Sequence, residues 1–411
     1  MPAVAPSPRE CSNSPPNWYS HSREFGKIAL TTYGISRLPW PARTPQHRWY
    51  GLGRYYAMFP APFVTRAVRE LTVRGDVVMD PFSGRGNAPY LAAAMGRPCV
   101  AVDILPVAWL FTAAKLDPSP NVDRVLTRLK DIWRAVRPND RNSRSEFERM
   151  AWAPAVRGFL RAARRELDWR GSRSDRTLAA FIALHMQDSN PNGLSNRLSP
   201  TVAHSPSYAV RWWTQRGFLK PPQTDPVSFL ADRIQRRYAF GIPDLAHCST
   251  HLGDARIELQ EMPQRNVKLM ITSPPYCDVT DYWNDQWIRL WLLGETMGKN
   301  WKKEQKHSNP AAYRTLIDSV FAQAKRHVRE DGIVIVRCGD KPPTAETCRR
   351  AIRSTWPSWD VFEKRTEVQR RGTASGYGHG AKVICELDIA ATSKELFNKT
   401  RSWAGGSPLG V

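Results

Sequence analysis

Two short apolar runs, each ending in an acid, flank a glycine-rich turn and a helical stretch. This pattern constrains the chain more than any other feature. Val77-Val78-Met79-Asp80 reads as a buried strand. Asn87 to Met95 follows with helical character and stops at Gly96, a residue that readily adopts the left-handed conformation closing a helix. Cys99-Val100-Ala101-Val102-Asp103 is then a second strand. Strand, turn, helix, strand is a βαβ unit, and its crossover implies a parallel sheet.

A second α/β pattern lies far downstream. Val267 to Thr272 and Gly332 to Val336 read as strands, as does Ala381 to Leu387. Ser308-Asn309-Pro310 starts a helix, with Tyr313, Leu316, Ile317, Val320, Phe321 and Ala324 on one face. Neither part has enough strands for a stable open sheet alone, so both are expected to build one. The division that follows is a flexible arm (1–20), a first part of an α/β domain (21–116) and an inserted region (117–245). A second part of the domain (246–392) and a flexible tail (393–411) complete it. The insertion is Arg-rich and carries Trp133, Trp152, Trp169, Trp212 and Trp213. Its first half, to about Arg170, reads as amphipathic helix.

Charge narrows the partners. Over 411 residues the formal net charge is +22. Such an excess suits a polyanion and says nothing about fold. No stretch approaches the roughly 20 consecutive apolar residues of a membrane span, so a membrane is not the expected partner. Seven scattered cysteines form no C-x-x-C pair and no zinc-like Cys/His spacing, so no metal is expected. With no secretory segment near the start, reduced thiols and a cytoplasmic location are the expectation.

The first constellation with chemistry is Asp80-Pro81-Phe82-Ser83-Gly84-Arg85-Gly86-Asn87. Glycines just after a parallel strand let the backbone turn tightly and approach a ligand. An acid before them suits a cationic ligand and disfavours a phosphate. Asp103 falls where Rossmann-like units place a ribose-binding acid. A nucleoside with a positively charged attachment fits both acids, and S-adenosylmethionine is such a molecule. The second constellation is Thr272-Ser273-Pro274-Pro275-Tyr276. Consecutive prolines stiffen the loop and leave carbonyls free as acceptors. Ser273 and the Pro274 carbonyl could hold an exocyclic amine, and Tyr276 offers a face on which a base could stack.

Together, DPFSGRGN and TSPPY resemble the two hallmark motifs of the DNA amino-methyltransferases, which modify cytosine N4 or adenine N6. The resemblance implies a Rossmann-like class I S-adenosylmethionine-dependent methyltransferase fold. In that family the first loop binds the cofactor and the Pro-Pro loop grips a flipped base; the Ser-first form is typical of the N4-cytosine branch. The cofactor set it implies is Phe59, Asp80, Pro81, Phe82, Ser83, Gly84, Gly86, Asn87, Asp103 and Asp254. His47 and the segment from Tyr56 to Phe63 resemble the element covering the methionine part of the cofactor, and Leu252 to Ala255 an acidic strand end near the adenine. Catalysis is implied for Ser273, Pro274, Pro275 and Tyr276. Gly86-Asn87 departs from the usual Gly-Thr, and the cofactor motif precedes the Pro-Pro motif, a permutation that often places target recognition between the halves.

The resemblance covers the two α/β parts. The implied activity is site-specific methylation of double-stranded DNA at cytosine N4. N6-adenine methylation, tRNA guanine-N2 methylation and a non-catalytic DNA-binding role are the alternatives. A restriction endonuclease counterpart fits this reading, as does either a monomer or a homodimer. Within the insertion, Arg residues interleaved with aromatics suit phosphate contact and stacking. Asn196, Arg197, Tyr208, Arg211, Trp212 and Arg216 are the candidates there. Asp278, Asp281, Tyr282 and Trp283 are expected at the rim of the base pocket. Cys277 is expected to line that pocket and not to act as a nucleophile, because direct transfer to an amine needs no covalent enzyme intermediate.

Overall fold

The computed structural model describes residues 38–54, 59–277, 281–295, 307–370, 382–393 and Thr400. The expected arm, nearly all of the expected tail, Tyr56 to Met58 and Asp278 lie outside the described residues.

Seven strands form one sheet: β1 (Val77–Asp80), β2 (Cys99–Asp103), β3 (Cys248–Leu252), β4 (Val267–Thr272), β5 (Val328–Gly339), β6 (Asp360–Arg370) and β7 (Lys382–Thr392). Their order is β3-β2-β1-β4-β5-β7-β6. The pairings among β3, β2, β1, β4 and β5 are parallel, whereas β7 runs antiparallel to both its neighbours. This is the expected Rossmann-like arrangement. The two α/β parts meet at β1–β4, where Val78 pairs with Leu269 and Met79 with Met270, and at β2–β3.

Side chains alternate between the faces of the sheet, as a strand's two-residue period requires. Val78, Leu269, Ile271, Ile333 and Ile335 join one buried cluster, and Met79, Val100, Met270, Val334 and Val336 the other. The second cluster is closed by the helices Ala255–Glu261, Pro310–Lys325 and Thr344–Thr355. Asn309 caps Pro310–Lys325 by accepting from the amides of Ala311 and Ala312.

The inserted region is helical in both halves, including Val122–Arg134, Pro154–Glu166, Arg173–His185, Pro206–Gln215 and Pro226–Tyr238. It has no separate core. Val125, Leu129, Phe159, Leu178 and Leu230 belong to the same cluster as Val78 and Leu269. Trp152, Trp169 and Trp213 are buried in it, and Trp133 and Trp212 pack on its edge.

One expectation is corrected. Cys99 and Cys248 sit directly opposite each other on β2 and β3, with Cα atoms 4.5 Å apart, and are joined as a disulfide. They are 149 residues apart in sequence, so spacing alone could not pair them; the parallel register does. Among the described residues, Cys277, Cys338, Cys348 and Cys385 are not joined in disulfides. Among the described residues, no helix is long and apolar enough to cross a membrane. No group of three or more His, Cys, Asp or Glu among them could hold a metal ion.

Candidate active site

The strand order reverses between β1 and β4. Open α/β sheets bind ligands beyond the carboxyl ends of their strands at such a point. Asp80 ends β1, Thr272 ends β4, and the Thr272 hydroxyl donates to Asp80 Oδ1 at 2.7 Å. The two sequence motifs, 192 residues apart in this pair, therefore meet through one buried hydrogen bond.

Asp80 is 1% exposed. Its Oδ1 also accepts from the Phe82 amide at 3.1 Å, while its buried Oδ2 has no hydrogen-bond partner among the described residues. Burial pushes its carboxyl up to about 7, against the pull of the Thr272 and Phe82 hydrogen bonds; the nearby Asp103 charge adds a little. Asp103 is also raised to about 7 by burial, opposed by hydrogen bonds from the amides of Leu105 (2.8 Å) and Gly84 (2.7 Å). Two acids that resist ionising, one with an unused buried oxygen, make a site that gains from a cationic ligand.

The loop between them divides its work between its glycines. Gly86 has φ +75°, and a Cβ there would lie 2.6 Å from Thr112 Oγ1, so this position must be glycine to pack. Gly84 has φ +53°, but nothing among the described residues lies within 4 Å of where its Cβ would point. Its amide donates to Asp103 and its carbonyl accepts from Thr112 at 2.9 Å. The result is a fixed backbone with an open face, a cradle that a side chain would fill. Pro81 and Ser83 are buried and Phe82 is half-buried beside it.

Arg85 and Asn87, where the motif departs from the family pattern, have structural partners. Arg85 is buried and donates to Asn87 Oδ1 at 2.8 Å and to the Gly53 carbonyl. Asn87 Nδ2 donates to the Phe59 carbonyl at 2.9 Å, tying Phe59 to the loop. Phe59 stacks on Phe63 with centroids 5.8 Å apart. Asp254 follows β3 at the same end of the sheet, next to Gly253, whose amide donates to the Asp103 carbonyl. There it caps Ala255–Glu261 and pairs with Arg256, which holds its carboxyl below the usual range despite partial burial.

Ser273 and Tyr276 are half-buried; Pro274 is buried and Pro275 half-buried. The Tyr276 ring lies against Gly339 at the end of β5, where a Cβ would come 3.5 Å from Cε2. Burial, then the Glu386 charge, pushes its phenol well above the usual value. Cys277 is buried, with its amide held by Thr344 Oγ1 at 3.0 Å and its Sγ by the His307 carbonyl at 2.9 Å. Asp281 caps the turn Tyr282–Asp285, Tyr282 is half-buried and Trp283 is 4% exposed.

Sequence reasoning missed a buried ion cluster beside this loop. Arg337 on β5 pairs with Asp388, directly opposite on β7, at 2.6 and 2.7 Å, and lies 3.5 Å from Glu386. Its guanidinium also sits 3.9 Å over the Phe63 ring. The only hint in sequence was an Arg inside one apolar strand and acids inside another.

The segment after Tyr276 docks on the insertion. Gln286 donates to the Thr201 carbonyl, Arg289 to those of Ala183 and Pro200, and Trp287 to that of His204. From there Pro206–Gln215 carries Arg211 over Tyr208 (5.9 Å), and Arg216, just past its end, lies over Trp212 (4.5 Å), which stacks on Phe218. Arg197 lies 4.2 Å over the other end of this array, on Phe218. Asn196 differs from expectation: it is 4% exposed and donates to the Phe218 carbonyl at 2.8 Å, so it supports this surface and does not line it.

No protein-family model matches the chain, and no curated protein matches it. Three solved structures are similar at low identity. Precorrin 8w decarboxylase from Methanobacterium thermoautotrophicum is 9% identical over 83% of this chain and 93% of its own, with a TM-score of 0.33. A TehB-like SAM-dependent methyltransferase from Corynebacterium glutamicum is 8% identical over 91% of this chain and 99% of its own, at 0.28. The rRNA methyltransferase AviRa from Streptomyces viridochromogenes is 12% identical over 85% of this chain and 92% of its own, at 0.29. With scores this low, nothing is carried over from them to this chain.

Proposed function

We propose that this chain is an S-adenosylmethionine-dependent DNA methyltransferase acting on an exocyclic base amine, the N4 of cytosine. The observation that carries the reading is the Thr272–Asp80 hydrogen bond. It places the stem of a Ser-Pro-Pro-Tyr loop against the acid of a glycine-rich loop at the switch point of the sheet.

The residues present fit the cofactor. Asp80 has an unused buried oxygen for a cationic group, Gly84 an open backbone face, and Asp103 a carboxylate beside it. Phe59, held by Asn87, would cover the methionine part, and Asp254 lies at the same strand ends as Asp103. When bound, S-adenosylmethionine would supply an electrophilic methyl group on a sulfonium.

The chain's own residues would then handle the amine. A base amine inside a duplex is out of reach, so the target must be flipped out. Ser273 Oγ and the Pro274 carbonyl can accept from its N–H groups, favouring a pyramidal, more nucleophilic nitrogen. Tyr276 offers its ring face. No residue need become covalently attached, and positioning with electrostatics is sufficient. Cys277, with its amide and sulfur both engaged in buried contacts, is left as wall. The array of Arg197, Tyr208, Arg211, Trp212, Arg216 and Phe218 is the proposed double-stranded DNA contact. Its link through residues 281–295 to the Pro-Pro loop would couple target recognition to the pocket.

Incubation with tritiated cofactor and DNA, followed by separation of nucleosides, tests this. Label in N4-methylcytosine is expected. Label confined to N6-methyladenine removes the cytosine assignment, and label found only in tRNA removes DNA.

A further inference from the structure

A cluster of cations lies on the far side of the glycine-rich loop, gathered around the short helix Pro45–Tyr50 and the turn after it. Arg85 donates to the Gly53 carbonyl and Arg237, from Pro226–Tyr238, to the Arg48 carbonyl. Arg54 pairs with Asp188 at 3.0 Å. Lys115 is completely buried, 5.9 Å over the Tyr90 ring, whose hydroxyl donates to the Gln46 carbonyl. The Lys115 ammonium has no hydrogen-bond partner among the described residues. An isolated ammonium cannot remain charged in such a place without an anion nearby.

The electrostatics point the same way. Burial, then repulsion by Arg85 and Arg237, holds Lys115 well below its ordinary value. Arg237 is pulled down to about 10 by burial and by Arg48, Arg85 and Arg54, with the Tyr90 phenol opposing. His185 is depressed to about 3 by burial and by Arg54, Arg237 and Arg233. Arg48 and Arg54 are exposed and Arg237 half-buried, so the cluster opens to the surface.

We propose that this cluster is a phosphate-binding site: a phosphate group docks on Arg48, Arg54 and Arg237 and offsets the buried charges of Arg85 and Lys115 behind them. Arg85 belongs to the same glycine-rich loop as the candidate methyl-transfer pocket, but the proposal does not depend on that reading. A phosphate of a polynucleotide backbone and a free phosphate share the chemistry.

Heat unfolding of the full chain in sodium phosphate and in sodium chloride of equal ionic strength tests it, alongside duplex DNA binding across a range of salt. Phosphate is expected to raise the unfolding midpoint saturably above that in chloride. Arg48→Gln and Arg237→Gln should lose this rise. Lys115→Met should raise the midpoint in chloride and shrink the phosphate increment. If the occupant is a backbone phosphate, the Arg substitutions also lower the salt slope of duplex binding by about one. A lost increment with an unchanged slope assigns the site to free phosphate. Variants that keep both the wild-type increment and the wild-type slope overturn the proposal, as does a wild-type midpoint that ignores phosphate together with unchanged slopes. Arg48→Gln, on the surface, gives this answer even if Lys115→Met does not fold.

Discussion

Replacing Asp80 with Asn should stabilise the cofactor-free protein while weakening cofactor binding. Asp80 is 1% exposed, and the Asn carbonyl can still accept from Thr272 and Phe82. What disappears is a buried charge. A rise from the usual carboxylate value to about 7 corresponds to roughly 4 kcal/mol of disfavour for the ionised form in the folded state. Because the folded value is the raised one, the cost is absent below about pH 4, where folded and unfolded states are both protonated. It grows as pH climbs toward 7 and is complete above that. Urea unfolding should therefore show Asp80→Asn gaining up to about 4 kcal/mol over wild type at pH 8 and close to nothing at pH 4. Calorimetry at pH 8 should show S-adenosylmethionine binding weakened by roughly 10- to 100-fold, the loss of a hydrogen bond to a charged group worth about 1.5–3 kcal/mol. A variant less stable than wild type at pH 8, or one binding the cofactor as tightly, would falsify the reasoning.

Thr272→Val removes the hydroxyl that eases Asp80 ionisation, so the pH at half-maximal cofactor affinity should move above about 7; an unmoved midpoint counts against the shared hydrogen bond. Gly84→Ala should fold with a loss of about 1 kcal/mol yet bind cofactor poorly, whereas Gly86→Ala should fold poorly because its Cβ meets Thr112. Equal folding of the two by circular dichroism refutes this division. Tyr276→Ala should reduce methylation by roughly 5- to 150-fold, from about 1–3 kcal/mol of lost stacking, with cofactor affinity unchanged in calorimetry. Arg216→Ala should lower the salt slope of duplex binding by about one and leave cofactor affinity alone; an unchanged slope removes Arg216 from the proposed contact.

The central strands were legible in the sequence because burial on both faces leaves unbroken apolar runs, and their final acids marked the ends facing the site. The edge was harder. β3, CSTHL, is partly exposed along its whole length and carries no such run. Its position next to β2 also creates the Cys99–Cys248 pair, which depends on register and is invisible in spacing. The glycine loop and the Pro-Pro loop could be read singly, yet their meeting at Asp80 and Thr272 required the strand order. The Arg and Trp content of the insertion suggested a nucleic-acid surface. It could not distinguish the half-buried Trp212 under Arg216 from the buried Trp213 beside it, nor show that Asn196 holds Phe218 from within.

The β1–β4 junction also has a consequence for how the protein comes into being. Its partners are separated by nearly two hundred residues, all emerging from the ribosome between them. Until β4 arrives, the inner edge of β1 has no neighbour, and the acid meant for the ligand has no Thr272 hydroxyl. Long-range parallel pairings of this kind form late and slowly. The intervening helices can gather earlier, but they share their apolar core with β1 and β4 and cannot close it alone. A nascent chain stopped before residue 267 would thus display the glycine-rich loop without the pocket it serves. Such a chain would expose apolar surface and an unpaired strand edge that invite chaperone capture.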